Sequence, residues 1–238
     1  MFFHSDGLFE ALDEFNDSVQ NRKLLPDAYY DSLVEMICAK QLHSGELRGT
    51  FDPGQKRLRE GIFLYTGERV RTKLATRSIV SLEAGRALAV AESLNASARS
   101  ALANLNTWLE NQCFHDFCGS GECRYSTIAF LRYSASGAMK MGRGEIDSII
   151  ESLKTYRDGK GRWNGFPFYY TLLTLSELDT PAAGVELEYA RPACERALKL
   201  TDATDLFSSR RKAILQKLLQ RPAANPDFQL TLRDLWVV

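Results

Sequence analysis

The chain has 238 residues, of which 45% are hydrophobic and 25% charged. These proportions exclude a disordered tail protein, a collagen-like fibre and a small disulfide scaffold. Lys and Arg number 30 against 30 Asp and Glu, a formal net charge of zero, so no global field draws the chain to nucleic acid or to an anionic membrane. No stretch of about 18 apolar residues is present to span a bilayer, and the acidic start MFFHSDGLFEALDEF is unlike a signal peptide. Five cysteines, an odd number, do not pair into a secreted framework, so reduced thiols and a cytoplasmic location are expected.

The 32 Leu and 24 Ala far outnumber the 8 Val and 8 Ile, which favours helix over strand. An all-α fold of about 9–11 helices is expected, with strand almost absent. In chain order, a helix follows Asp6-Gly7 with Leu8, Leu12, Phe15 and Val19 on one face. A second starts at Pro26, where a missing N–H costs nothing, and carries Tyr30, Leu33, Val34 and Ile37. A short amphipathic helix is expected over Gln55–Tyr65, then helices over Ile79–Leu94 and Ala96–Asn111. The segments Ser126–Met139 and Phe168–Leu178 are apolar on most sides and read as buried helices, with Leu131, Leu172, Leu173 and Leu175 in the core. Between them Glu145–Tyr156 is amphipathic. Thr180-Pro181 reads as an N-cap and first-turn proline, Leu206–Leu219 ends before Pro222, and a last short helix is expected over Asp227–Trp236.

Buried helices alternating with amphipathic ones is the pattern of stacked helix pairs. Two blocks, CGSGECRYSTIAFLRYSASG and DGKGRWNGFPFYYTLLTLSEL, align when Thr127 is set on Thr171; each has a Gly-rich loop, a hydroxyl residue and a Leu-rich helix. TGERVRTKLATRSIVSLEAGRAL is a fainter third copy. The run Asp158-Gly159-Lys160-Gly161-Arg162-Trp163, followed by Tyr169-Tyr170-Thr171-Leu172-Leu173-Thr174-Leu175, resembles the repeats of the terpenoid cyclase and protein prenyltransferase α/α toroid superfamily. The resemblance spans residues 114–178 and implies antiparallel helix pairs in an incomplete toroid or arc. The whole of 1–238 is then one helical domain. Residues 67–238 form the repeats, and residues 1–66 either join the array or cap its end. The zinc ligands of the prenyltransferases have no counterpart in Phe168-Tyr169-Tyr170-Thr171, and no Asp-x-Asp-Asp cluster stands for a cyclase acid.

Chemistry concentrates in Cys113–Tyr125. Cys113, His115, Cys118 and Cys123 are zinc-type ligands that could close a tetrahedron, although their spacing matches no standard finger. Cys118 beside Gly119-Ser120-Gly121 could alternatively be a nucleophile, with His115 or Asp116 as base or orienter. The plain alternative is a structural loop with Glu122 and Arg124 paired. Gly119-Ser120-Gly121 lacks the strand and the lysine of a phosphate loop. Arg124, Tyr125, Arg162, Trp163, Tyr169 and Tyr170 could share a ligand-binding rim where buried helices begin; the plain reading of each aromatic is core packing. Trp163 is expected to pack on a neighbouring repeat with its N–H on an acceptor, and Asp158 to accept from a nearby backbone N–H or to pair with Arg162.

The leading expectation for function is a small apolar molecule or a peptide bound in the concave centre. An enzyme using the Cys113–Arg124 loop and a structural interaction module, open to homo-oligomerisation, are the alternatives. The basic stretch Arg57–Arg77 reads as a solvated helix face, which argues against a nucleic-acid partner, and nothing points to a membrane.

Overall fold

The computed structural model describes residues 7–91 and 96–220. Among them are eleven helices and one two-stranded ribbon. The helices are α1 (Leu8–Gln20), α2 (Asp27–Ala39), α3 (Gln55–Glu60), α4 (Lys73–Val90), α5 (Ala96–Leu109), α6 (Cys113–Asp116), α7 (Cys123–Ala135), α8 (Arg143–Lys154), α9 (Phe168–Glu177), α10 (Pro181–Leu200) and α11 (Leu206–Leu219). Strands β1 (Ile62–Phe63) and β2 (Arg69–Val70) lie between α3 and α4. The helix expected over Asp227–Trp236 lies outside the described residues, as does the end of the one expected over Ile79–Leu94.

Side-chain caps start the helices where the sequence supplies them. The Thr180 hydroxyl accepts from the Ala183 N–H at 3.2 Å, with Pro181 in the first turn of α10. Asp205 accepts from the Phe207 and Ser208 N–H groups at 2.8 and 3.0 Å to open α11. Thr72 accepts from the Ala75 N–H, so α4 begins at Lys73, six residues before the apolar run that marks it in the sequence. Such oxygens satisfy N–H groups that have no partner within the helix.

The helix expected over Gln55–Tyr65 stops early. Gly61 has φ +77°, which L side chains rarely adopt, and a Cβ there would strike the Val70 carbonyl. The chain turns at this glycine into an antiparallel ribbon with Ile62 opposite Val70 and Phe63 opposite Arg69. The ribbon has a positioning role. At its turn, the Glu68 carboxylate accepts from the Tyr169 and Tyr170 N–H groups at 2.7 and 3.2 Å and so caps α9. The Thr66 carbonyl accepts from Arg211 Nε of α11 at 2.6 Å.

Helices α4, α7 and α9 form an enclosed row: α4 packs on α7, and α7 on α9. Leu131, Leu172, Leu173 and Leu175 are all buried in it. Gly85 of α4 leaves the space into which Leu105 and Tyr133 press, which lets α4 and α7 approach closely. The amphipathic α2 and α5 pack on α4, while α10 packs on α8, α9 and α11. Each buries one stripe; α8, for example, buries Ile146, Ile149, Ile150 and Leu153. The hydroxyl residues matched by the repeat, Thr127 and Thr171, are both fully buried near the starts of α7 and α9, and Thr76 is buried likewise in α4. α1 packs against α4, places Gln20 on Glu177 of α9, and receives Arg210 of α11 on Asp13.

Candidate metal centre

The loop joining α6 to α7 is pinned from the first turns of α7. The Cys118 N–H donates to Thr127 Oγ1 at 3.1 Å, and that hydroxyl donates back to the Cys118 carbonyl at 3.1 Å. Arg124 Nε donates to the Gly119 carbonyl at 2.6 Å. Its guanidinium lies 5.5 Å from the Tyr156 ring centre and 5.9 Å from that of Phe166, close enough for cation–π attraction. The Cys123 N–H closes a turn onto the Ser120 carbonyl at 3.0 Å.

This folding brings three sulfurs together. The Sγ atoms of Cys113, Cys118 and Cys123 all lie within 4.8 Å of one another, with Cys113 and Cys123 at 4.0 Å. Cys113 starts α6, Cys118 sits in the pinned loop, and Cys123 starts α7. A zinc ion bound to thiolates at about 2.3 Å in tetrahedral geometry sets the sulfurs about 3.8 Å apart, so the cluster needs little contraction to hold one. Cys113 is exposed, and Cys118 and Cys123 are half-buried.

The three thiols do not ionise alike. Burial opposes ionisation of Cys118, but the Ser120 N–H and the thiols of Cys113 and Cys123 outweigh it and draw its pKa below the ordinary thiol value. Burial pushes Cys113 up. Burial, with the charge of the neighbouring sulfurs added, pushes Cys123 up to about 12. One anion is accommodated, and each further one is repelled by the first. A divalent cation among the sulfurs reverses that repulsion and favours all three thiolates.

His115 does not join the sulfurs. Its Nδ1 pairs with Asp116 Oδ1 at 2.9 Å, and its ring packs 5.1 Å from that of Phe130. Of the expected set of Cys113, His115, Cys118 and Cys123, the structure brings the three sulfurs together, while the single turn of α6 directs the imidazole to Phe130. Asp116 is almost wholly exposed. Glu122 and Arg124 are not paired with each other. The Glu122 carboxylate accepts from the Arg71 N–H at 2.9 Å and from the Thr72 N–H at 2.7 Å, where the open end of α4 attracts negative charge. Burial opposes its ionisation, but these bonds hold its pKa below the usual carboxylate value.

The expected rim residues separate into several environments. Trp163 is buried and donates its indole N–H to Glu186 Oε2 at 2.7 Å. Its ring neighbours are Phe168 at 6.3 Å and Tyr189 of α10 at 6.1 Å. Asp158 accepts from the Lys160 and Arg162 N–H groups at 2.7 and 2.9 Å. Arg162 is exposed, 4.4 Å from the Phe168 ring centre. Tyr125 and Tyr169 are half-buried, with Arg211 4.8 Å from the Tyr169 ring centre. Tyr170 is buried and donates to Glu83.

Tyr170 belongs to a charged interior network that the sequence reading missed. Arg132 of α7 donates from Nε and Nη2 to the two oxygens of Glu177 at 2.9 and 3.0 Å, and from Nη1 to Glu83 at 2.9 Å. Arg86 donates to Asn16 Oδ1 at 3.0 Å, and the Asn16 amide donates to Glu83 at 3.0 Å. Burial opposes ionisation of Glu177, but Arg132 and Arg86 overcome it and bring its pKa to about 2. Glu83 is lowered for the same reason. The cavity beside Glu83 and Tyr170 holds about 20 Å³, room for one water. The available signal was charge set inside apolar stretches: Glu83 and Arg86 among Ala and Leu in α4, and Arg132 within Ile-Ala-Phe-Leu-Arg-Tyr in α7.

No helix among the described residues is long and apolar enough to cross a membrane. No family model, curated protein or solved structure matches the chain.

Proposed function

We propose that this chain is a metal-binding helical protein that holds one zinc-class ion on Cys113, Cys118 and Cys123, with a fourth coordination position open to solvent. The convergence of three sulfurs within 4.8 Å of one another carries this reading. Thiolates select soft or borderline ions such as zinc. A 4Fe–4S cluster binds each thiolate to a different iron and spreads the sulfurs further apart, so a single ion suits this spacing better. Three protein ligands and an open position are the arrangement of zinc sites that act on a fourth ligand from solution, water or a small molecule. The enclosed row of α4, α7 and α9 supports an incomplete α/α toroid as the scaffold. The reading needs thiols kept reduced, as in a cytoplasm.

Zinc titration of the reduced chain against a chromophoric chelator tests it. One ion per chain is expected. Cys113→Ser, Cys118→Ser and Cys123→Ser should each weaken binding by more than about 100-fold, the upper end of the loss from removing only an outer-shell partner. Cys38→Ser and Cys194→Ser should leave it unchanged. Binding that survives Cys118→Ser, or no zinc uptake by the reduced chain, would overturn the reading.

A further inference from the structure

We infer that Cys113 is a site of oxidation by hydroperoxides, and that it closes onto Cys123 as a disulfide that expels the bound ion. The inference rests on the metal reading and adds its regulation. Cys113 is the exposed member of the cluster, so a small oxidant in solution reaches it first. Cys123 Sγ lies 4.0 Å away, and rotation about the side-chain bonds of the two residues can bring the sulfurs towards bonding distance. Cys118 is the least available partner, because its backbone N–H and carbonyl are both tied to Thr127 Oγ1. The intervening Ser120 and Gly121 are exposed, and nothing stands within 4 Å of the place a Cβ would occupy on Gly121. Closure has to shift only the turn that the Cys123 N–H makes onto the Ser120 carbonyl, and Gly121 leaves room for it.

The chemistry balances with a hydroperoxide as the only co-reactant. The Cys113 thiolate attacks the peroxide oxygen, the O–O bond breaks, and hydroxide or alkoxide leaves; the sulfur becomes a sulfenic acid. The Cys123 thiolate attacks that sulfur, the S–O bond breaks, and a second hydroxide leaves as the S–S bond forms. Two thiolates have given up two electrons and the peroxide has accepted them. Cys118 remains as a single thiolate and cannot hold the ion alone, so metal and disulfide exclude each other. A dithiol reductant restores both thiolates and rebinding.

The experiment uses the zinc-loaded chain carrying Cys38→Ser and Cys194→Ser, with a chromophoric chelator and hydrogen peroxide. The expected result is release of one equivalent of zinc, loss of two titratable thiols, and a Cys113–Cys123 link in the peptide map, all reversed by dithiothreitol. Zinc retained under peroxide, or released with Cys113 overoxidised or joined to Cys118, overturns the switch and leaves the metal reading standing. A chain that takes up no zinc before peroxide is added overturns the metal reading and the switch with it. Metal-free chain with Cys123→Ser should give no intramolecular link, which ties the result to that pair.

Discussion

Trp163 shows how one side chain can be placed from sequence while its partner stays unnamed. Burial and a satisfied indole N–H were legible, because a large aromatic after a Gly-rich turn has little else to do. The acceptor was not, since Glu186 lies on α10, beyond α9, and only the fold brings it near. Glu186 is fully enclosed and also receives Arg157 at 2.6 Å. Trp163→Phe keeps an aromatic ring, though a smaller one, and deletes the donor, so a loss of about 1–3 kcal/mol is expected from an under-satisfied buried carboxylate. Urea unfolding should show a lower midpoint with an unchanged slope. Leu172 is a purely apolar counterpart: it is wholly buried, and Leu172→Ala should cost about 2–5 kcal/mol. An unchanged melting temperature for either variant would contradict the packing described. The cysteines divide in the same way. Their clustering in sequence was visible, but the exclusion of His115 depends on which way one turn of helix faces.

At the scale of elements, the sequence reading succeeded where a helix carries a full apolar stripe. The limits expected for α11 match those observed, and α9 was placed to within one residue at its C-terminal end. It failed where something other than periodicity decides. A threonine cap starts α4, a left-handed glycine ends α3, and a single turn, α6, is too short to show a period. The charged network escaped because its members sit on separate helices; only packing α4, α7 and α9 together makes them partners. Arg132 is fully buried and joins Glu83 to Glu177. Replacing it with Met leaves two enclosed carboxylates without their main counter-charge, so Arg132→Met should cost about 3–5 kcal/mol. The double change Arg132→Met with Glu177→Gln should recover part of that loss. A double variant no more stable than the single one would show that the pair is not coupled.

For the molecule as a whole, that network governs the response to acid. Glu177 ionises at about 2 in the folded chain against an ordinary value of 4.5. Its stabilisation is complete above about pH 4.5 and is lost as pH falls through about 2. Glu68 works in the opposite sense, since burial raises its pKa despite the hydrogen bonds it accepts. Its contribution is largest below its unfolded value and is lost as pH rises through the folded one. The acid limb of a stability–pH curve should therefore fall between about pH 4.5 and 2 and flatten in Glu177→Gln. A limb of the same steepness in that variant would assign acid sensitivity elsewhere.

The clamp between α11 and α1 bears on how such a chain comes together during synthesis. Arg210 donates to both oxygens of Asp13 at 2.8 Å and to the Tyr65 carbonyl at 3.2 Å. Nearly two hundred residues separate Arg210 from Asp13, so the contact cannot exist until almost all the described chain has left the ribosome. N-terminal segments generally fold first as they emerge, and α1 has α4 to pack on early, yet its clamp to α11 has to wait. Formation of that clamp is then a late event with a large loop to close. Arg210→Ala should consequently speed unfolding more than it slows refolding, because a contact made after the transition state acts on the unfolding limb alone. A ribosome-bound chain stopped before Arg210 should leave α1 more open to protease than the full-length chain does.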